Sequence, residues 1–190
     1  AQGIQRVQGA VTGLAYTPHE WLDKTGALAA VNGGYFGEEV VPGRKEIMGL
    51  LVQGGRVRHA ATVRRAAFGI GSDGAPSIVW AQTAAGHPQS LTAHSTLSGP
   101  EKSVPSWRVS SAVGCGPMLI HDARIVTTDR QERLVSPGPE PRTFVAYDVG
   151  GKHFILGMAS GMEYRDLAEW LRDYFPRYDH TQAAAAMCLD

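Results

Sequence analysis

The stretch that most constrains the fold is Ala29-Ala30-Val31-Asn32-Gly33-Gly34-Tyr35-Phe36. An apolar run over 27–31 stops abruptly at Asn-Gly-Gly, and two aromatic residues follow at once. The run reads as a buried strand. Asn and Gly best tolerate positive φ, so Asn32-Gly33-Gly34 reads as a sharp turn. Asn32 is the only asparagine in the chain. Two readings follow. One is a tight turn beside a packed core. The other is a backbone bend at a strand end that admits a ligand and offers it the Asn32 amide.

The 190 residues fit one domain, or at a stretch two small ones. A chain of this size buries roughly 70% of its unfolded surface, enough for a real core without staples. The formal net charge is zero, which gives no electrostatic reason to expect a nucleic-acid or acidic-membrane partner. No run approaches the ~18 unbroken apolar residues of a membrane helix. The 23 glycines point to many turns and short strands. Cys115 and Cys188 each stand near the end of an apolar run. They are either two buried thiols or one disulfide, and no CxxC or Cys/His spacing suggests zinc. The opening Ala1-Gln2-Gly3 would suit a mature N terminus.

Taken in order, residues 1–15 suggest a first strand or two, with Val7, Val11 and Leu14 apolar. Thr17-Pro18-His19-Glu20 has the spacing of a capping box, with proline in the first turn, and predicts a helix to about Gly26. Residues 37–48 read as a polar loop. Hairpins are predicted at 49–58 around Gln53-Gly54-Gly55, at 67–80 around Ser72-Asp73-Gly74, at 116–125 around His121-Asp122-Ala123, and at 142–156 around 148–151. The Ser-, Thr-, Gly- and Pro-rich stretch 82–107 reads as a long surface excursion. Met162 to Phe175 carries Leu167, Ala168 and Leu171 at helical spacing and predicts the strongest helix, ended by Pro176. Ala183 to Leu189 is a last apolar strand that runs into Asp190.

These elements give an α+β class: a mixed or antiparallel sheet of hairpins with two main helices. An internal echo accompanies them. Residues 50–57 resemble 118–125, and 68–79 resemble 144–156. A helix with Glu20-Trp21-Leu22 and an alanine-rich run ending at Asn32 parallels a helix with Glu169-Trp170-Leu171 and an alanine-rich run ending at Asp190. The echo suggests a pseudo-duplicated fold in which Asn32 and Asp190 are counterpart strand ends, where ligand sites often form. Chance likeness among short hairpins is the alternative.

Several motifs are set aside. Gly69-Ile-Gly71-Ser-Asp-Gly74 matches GxGxxG, but Pro76 and a strand-like run follow it, so no helix N terminus is available for a pyrophosphate. The seven histidines show neither HxH nor HxxxH spacing, so no metal ligand set and no cofactor is predicted. No GxSxG elbow occurs. The basic cluster Arg56, Arg58, His59, Arg64 and Arg65 is most simply a solvated hairpin face. Pro141-Arg142-Thr143 is more informative. It starts a strand with a guanidinium, whose fork suits either a phosphate or a salt bridge. Asp190 is either a turn residue or a partly desolvated acid. Glu38, Glu39 and Glu46 are its candidate partners for two-carboxylate chemistry at a sugar C1.

Together, residues 30–36 (AVNGGYF), 49–56 (GLLVQGGR), 115–120 (CGPMLI), Pro141-Arg142-Thr143, 166–171 (DLAEWL) and the strand ending Leu189-Asp190 resemble the phosphodiester glycosidase family over about residues 25–190. The resemblance implies a hydrolase that splits the C1–O bond of a sugar-1-phosphodiester of the N-acetylglucosamine type. It implies that Asp190 and Arg142 are catalytic and that Asn32, Gly33, Gly34 and Thr143 bind substrate, with Arg142 and Thr143 on the phosphate. It further implies a small-molecule or glycan substrate, export to the periplasm or medium, and a Cys115–Cys188 disulfide suited to that compartment. Family members continue past this aspartate with a glycine pair and serines. The expectation is therefore a single domain over 1–190, without the last part of the family domain. Two other readings compete: a non-catalytic glycan- or envelope-binding module, and a glycosidase acting on a glycan without phosphate.

Overall fold

A computed structural model describes residues 17–41, 44–61, 63–91, 105–134 and 138–190, without the side chains of 38–41 and 44–45. The strands expected over 1–15 lie outside the described residues, as does much of the excursion expected over 82–107.

The chain begins as its capping spacing requires. Helix α1 spans Pro18–Thr25. The Thr17 hydroxyl accepts from the Glu20 N–H, and the Thr17 N–H donates to the Glu20 carboxylate at 2.8 Å. Gly26 closes the helix in the left-handed region. α1 buries none of its residues.

Next come β1 (Phe36–Val41) and β2 (Arg44–Ile47), an antiparallel hairpin where the sequence suggested a polar loop. Its charged residues, Glu38, Glu39, Arg44, Lys45 and Glu46, gave no apolar alternation to read. β3 (Leu51–Gln53) and β4 (Arg56–His59) turn at Gly54-Gly55. β5 (Arg65–Ile70), β6 (Pro76–Ala84) and β7 (His87–Leu91) form a meander. β7 thus converts the start of the expected excursion into a sheet edge. Its Pro88 has no N–H to donate, which an edge tolerates. β8 is Ser111–Gly114, β9 Met118–His121, β10 Arg124–Ile125, β11 Arg142–Asp148 and β12 Phe154–Ala159. Helix α2 (Tyr164–Tyr174) precedes β13 (Ala183–Cys188). The α-helix stops at Tyr174, just ahead of Pro176 as expected, but the chain goes on winding. Pro176 sits in the first turn of a π-helical segment, Phe175–Asp179, where the missing N–H costs little.

The described residues form three sheets: β1-β2, the six-stranded β4-β3-β8-β5-β6-β7 and the five-stranded β10-β9-β13-β11-β12. Every strand pair among the described residues is antiparallel. Each larger sheet has two hairpins flanking one inserted strand, and the six-stranded sheet adds β7 beyond β6, so the expected duplication is not confirmed. The inserted strands are β13 and β8. The expected slot for 27–31 is therefore taken by Ser111–Gly114. Residues 27–35 form no strand, and Leu28 is fully exposed. The reason is compositional: four of the five residues in that run are alanine or leucine, which lack β-branched stiffness, and alanine gains little from burial.

The five-stranded sheet is covered on both faces. Phe68, Ile78, Trp80, Met118, Val145 and Met187 fill the space between the large sheets. Leu119, Phe144, Leu167, Leu171 and Phe175 seal the other face beneath α2. Double coverage explains why β11 and β13 read as nearly continuous apolar runs. Each buried leucine of α2 contributes roughly 1.5–3 kcal/mol.

The expected disulfide is absent. Cys115 and Cys188 are free and buried. Cys115 belongs to the core between the sheets and Cys188 to the core beneath α2, so the pleat sends their side chains to opposite faces. Burial pushes both thiols up, Cys188 to about 12, which leaves them unreactive.

Candidate active site

β13 ends and β11 begins at the same edge of the five-stranded sheet. Phe144 faces Cys188 in register, and the ladder extends past the strand end through Leu189 N–H to Thr143 O at 2.8 Å and Thr143 N–H to Asp190 O at 2.9 Å. That ladder carries Asp190 to the start of β11, beside Arg142 and Thr143.

The segment 31–35 crosses the same edge. Asn32 Nδ2 donates to Asp190 Oδ2 at 3.1 Å, joining residues 158 apart in sequence. Asn32 is exposed and Asp190 half-buried. Neither Asn32 nor the two glycines has positive φ, contrary to the sharp turn expected there. Gly34 is needed for closeness instead. A Cβ on it would stand 2.9 Å from Gly114 O and 3.2 Å from both Cys115 Sγ and a Val113 methyl. Gly33 has open space around it.

Arg142 and Thr143 leave β11 on opposite faces. Phe144 and Ala146 point toward α2 while Val145 points between the sheets, and the period of two extends to 142 and 143. Arg142 accordingly turns toward α2. It is 5% exposed. Its Nε donates to Met162 O at 3.3 Å, its Nη2 to Gly138 O at 2.6 Å, and its guanidinium carbon lies 3.8 Å from the centre of the Tyr164 ring. The Thr143 hydroxyl oxygen is buried without a hydrogen-bond partner among the described residues, a polar atom whose partner is still to be supplied.

A cleft of about 670 Å³ opens on the Arg142 side. Arg130, Arg142 and Arg165 line it together with Asp129, Glu163 and Tyr164, whereas Asn32 and Asp190 do not. Of the carboxylates proposed as partners for Asp190, Glu46 is exposed on β2, and the side chains of Glu38 and Glu39 lie outside the described residues.

Sequence reasoning missed a second tier of residues. Tyr35 donates its hydroxyl to Gly116 O at 2.7 Å, and burial pushes its phenol above the ordinary range. Glu132 is completely buried behind Gly116. It lies in a polar run, Arg130-Gln131-Glu132-Arg133, and no spacing distinguishes it from a surface acid.

The sequence profile of the phosphodiester glycosidases matches residues 25–190. The chain belongs to the phosphodiester glycosidase family. Among solved structures, it is similar to a hypothetical protein from Synechocystis, with a TM-score of 0.67 and 12% identity over 95% of this chain and 49% of that one. It is also similar to the catalytic domain of zebrafish N-acetylglucosamine-1-phosphodiester alpha-N-acetylglucosaminidase, solved in a form auto-inhibited by its pro-peptide. That TM-score is 0.53, with 19% identity over 84% of this chain and 49% of that one. At these identities the structures speak for the fold. The chain spans about half the length of each. No curated protein sequence matches it significantly.

Proposed function

We propose that this protein is a glycosidase that hydrolyses the C1–O bond of a sugar-1-phosphodiester, with a sugar of the N-acetylglucosamine type. One observation carries the reading: the Asn32–Asp190 pair, set beside the start of β11, where the buried Thr143 hydroxyl has no hydrogen-bond partner among the described residues. Family membership supports the reaction class.

The chemistry asks for little acid catalysis. When the C1–O bond breaks, its electron pair leaves on an oxygen of a phosphate monoester, already a weak base. The heavier demands are stabilising positive charge at C1 and delivering water to it. Asp190 serves both, as an anion beside C1 and as the acceptor of the water's proton. Asn32 holds one carboxylate oxygen and so orients the other. Thr143 donates to the phosphate, and Arg142 supplies positive charge from the α2 side.

The test is sugar release from N-acetylglucosamine-α-1-phosphate methyl ester. Release that survives Asp190→Asn would sink the assignment. A glycan-binding module is the second reading, favoured by the way Arg142 is anchored to two carbonyls and a ring. Calorimetric binding of the ester without any release would select it.

A further inference from the structure

Glu132 is the most deeply committed charged side chain among the described residues, with 0% exposure. Its carboxylate accepts from four donors on different parts of the fold. The Ala66 N–H on β5 and the Met118 N–H on β9 each donate at 2.9 Å, the Trp80 indole on β6 donates at 3.1 Å, and the Thr128 hydroxyl completes the set. The carboxylate thereby ties the two large sheets together at one point. Removing it would strand buried donors, a cost that no surface acid carries.

What lies against it is the Gly116–Met118 segment. Gly116 has φ +108, and a Cβ there would fall 2.0 Å from Glu132 Oε2, so only glycine fits. This segment reaches both members of the Asn32–Asp190 pair. Toward Asp190, Gly116 N–H donates to Cys188 O at 3.2 Å and Cys188 N–H to Pro117 O at 3.0 Å, which clamps β13 two residues before Asp190. Toward Asn32, Gly116 O accepts the Tyr35 hydroxyl at 2.7 Å, three residues after Asn32. A further tie doubles that route. Arg65 Nε donates to the backbone oxygen of Glu132 at 3.1 Å, and its guanidinium carbon stands 5.7 Å from the centre of the Tyr35 ring.

We propose that Glu132 is a positioning residue for the Asn32–Asp190 pair, acting through Gly116–Met118 on β13 and on Tyr35. The inference rests on the reading of that pair as the reacting site. Glutamine at this position has one acceptor oxygen and would set an amide N–H against a backbone N–H, so the segment has to shift. A displacement near 1 Å in a reacting group lowers turnover about 100-fold. The Thr143 side chain stands on β11, which supplies none of the donors to Glu132, so its binding contact should hold.

The test compares wild type with Glu132→Gln in two ways. The first uses protein labelled with ¹⁵N only in asparagine. Asn32 is the sole asparagine, so its backbone N–H and its side-chain NH2 give the only Asn signals, and the NH2 pair is read. Those signals should move in Glu132→Gln in the direction they move in Asp190→Ala. The second is kinetic: kcat should fall about 10- to 100-fold while KM stays within about two-fold. A folded Glu132→Gln with unmoved Asn32 signals and kcat within two-fold of wild type would overturn the proposal and leave Glu132 as a stability residue alone. If Glu132→Gln does not fold, Tyr35→Phe decides, since it deletes only the hydroxyl on Gly116 O. Moved Asn32 signals support the route and unmoved signals overturn it. Moved signals in Glu132→Gln, together with a wild type that releases no sugar, would keep the positioning role and discard the glycosidase reading.

Discussion

β11 and β13 lie side by side, and each of their two shared ends carries an aspartate. At one end Asp148 closes β11 opposite Ala183, the first residue of β13. It is 3% exposed and accepts from Lys152 N–H at 2.7 Å, His153 N–H at 3.1 Å, the His153 ring at 3.1 Å and the Thr181 hydroxyl at 3.1 Å. At the other end Asp190 follows β13 beside the start of β11. It is half-buried, and its side chain meets Asn32. The difference separates architecture from chemistry. A carboxylate whose acceptor positions are filled by its own chain holds a turn together. One that meets a single short polar side chain among the described residues keeps acceptor capacity for a substrate. Glu132, saturated by four donors, belongs with Asp148 in this respect, although it acts on the other end.

The largest effect should come from Asp190. Asp190→Asn should lower sugar release about 100- to 10,000-fold, the range expected for losing a general base. Its thermal stability should change little, within about 0.5 kcal/mol, as for a surface substitution. A large fall in melting temperature would show that Asp190 is a second Asp148 and would break the contrast.

Gly34→Ala comes next and probes the same end from the segment that crosses it. Its methyl would meet Gly114 O at 2.9 Å, a backbone atom that cannot swing aside. The expected cost is about 2 kcal/mol, by overpacking, with a fall in activity because Asn32 is two residues away. Gly33→Ala, with open space, is the control and should be close to wild type in stability. Equal melting temperatures for the two variants would refute the close-approach account of Gly34.

Asp148→Asn should cost about 1–2 kcal/mol and leave turnover per folded molecule unchanged. Burial alone would raise the Asp148 pKa. Hydrogen bonds from the His153 N–H and ring, the Lys152 N–H and the Thr181 hydroxyl outweigh it and hold the carboxyl at about 2 rather than its ordinary 3.8. A lowered folded pKa contributes stability above the unfolded value and loses it as pH falls toward the folded one. The gap in melting temperature between wild type and Asp148→Asn should therefore be full above about pH 4 and close toward pH 2. A gap independent of pH would mean that the charge contributes nothing.

Much of this was legible where a local rule was sufficient. Thr17 and Glu20 announced α1 by spacing, Gly54-Gly55 announced its hairpin, and Leu167 and Leu171 announced the buried face of α2. The meeting of Asp190 with Asn32 was also anticipated, but partly for a reason the fold does not bear out. The residues expected as counterpart strands are not both strands, because β8 fills the slot. What sequence could not show was dictated by distant partners. Gly34 is small because of Gly114, and Gly116 because of Glu132. Glu132 is buried because donors from β5, β6 and β9 converge on it, and nothing among its immediate neighbours records that. Arg142 was read from its place at a strand start. That its fork reaches Gly138, Met162 and Tyr164 depends on α2 folding back over the sheet.

The smallest expected effect tests how the two ends are built. The Asp148 end is a tight hairpin turn, held by the carboxylate itself. The Asp190 end is crossed by a segment, 27–33, that has no ladder partner among the described residues. If that segment were the buried strand its composition suggests, Leu28→Ser would remove a packed side chain and cost about 2–3 kcal/mol. Leu28 is fully exposed, so the cost should stay below about 0.5 kcal/mol and sugar release should be unaffected. Val31→Ser supplies the contrast, because Val31 packs against the core between the sheets and is next to Asn32. It should cost more and should slow release. A segment anchored by Val31 and Tyr35 yet open at Leu28 holds Asn32 by its flanks, leaving the amide accessible to a substrate. The reverse order of costs would restore the strand and remove that opening.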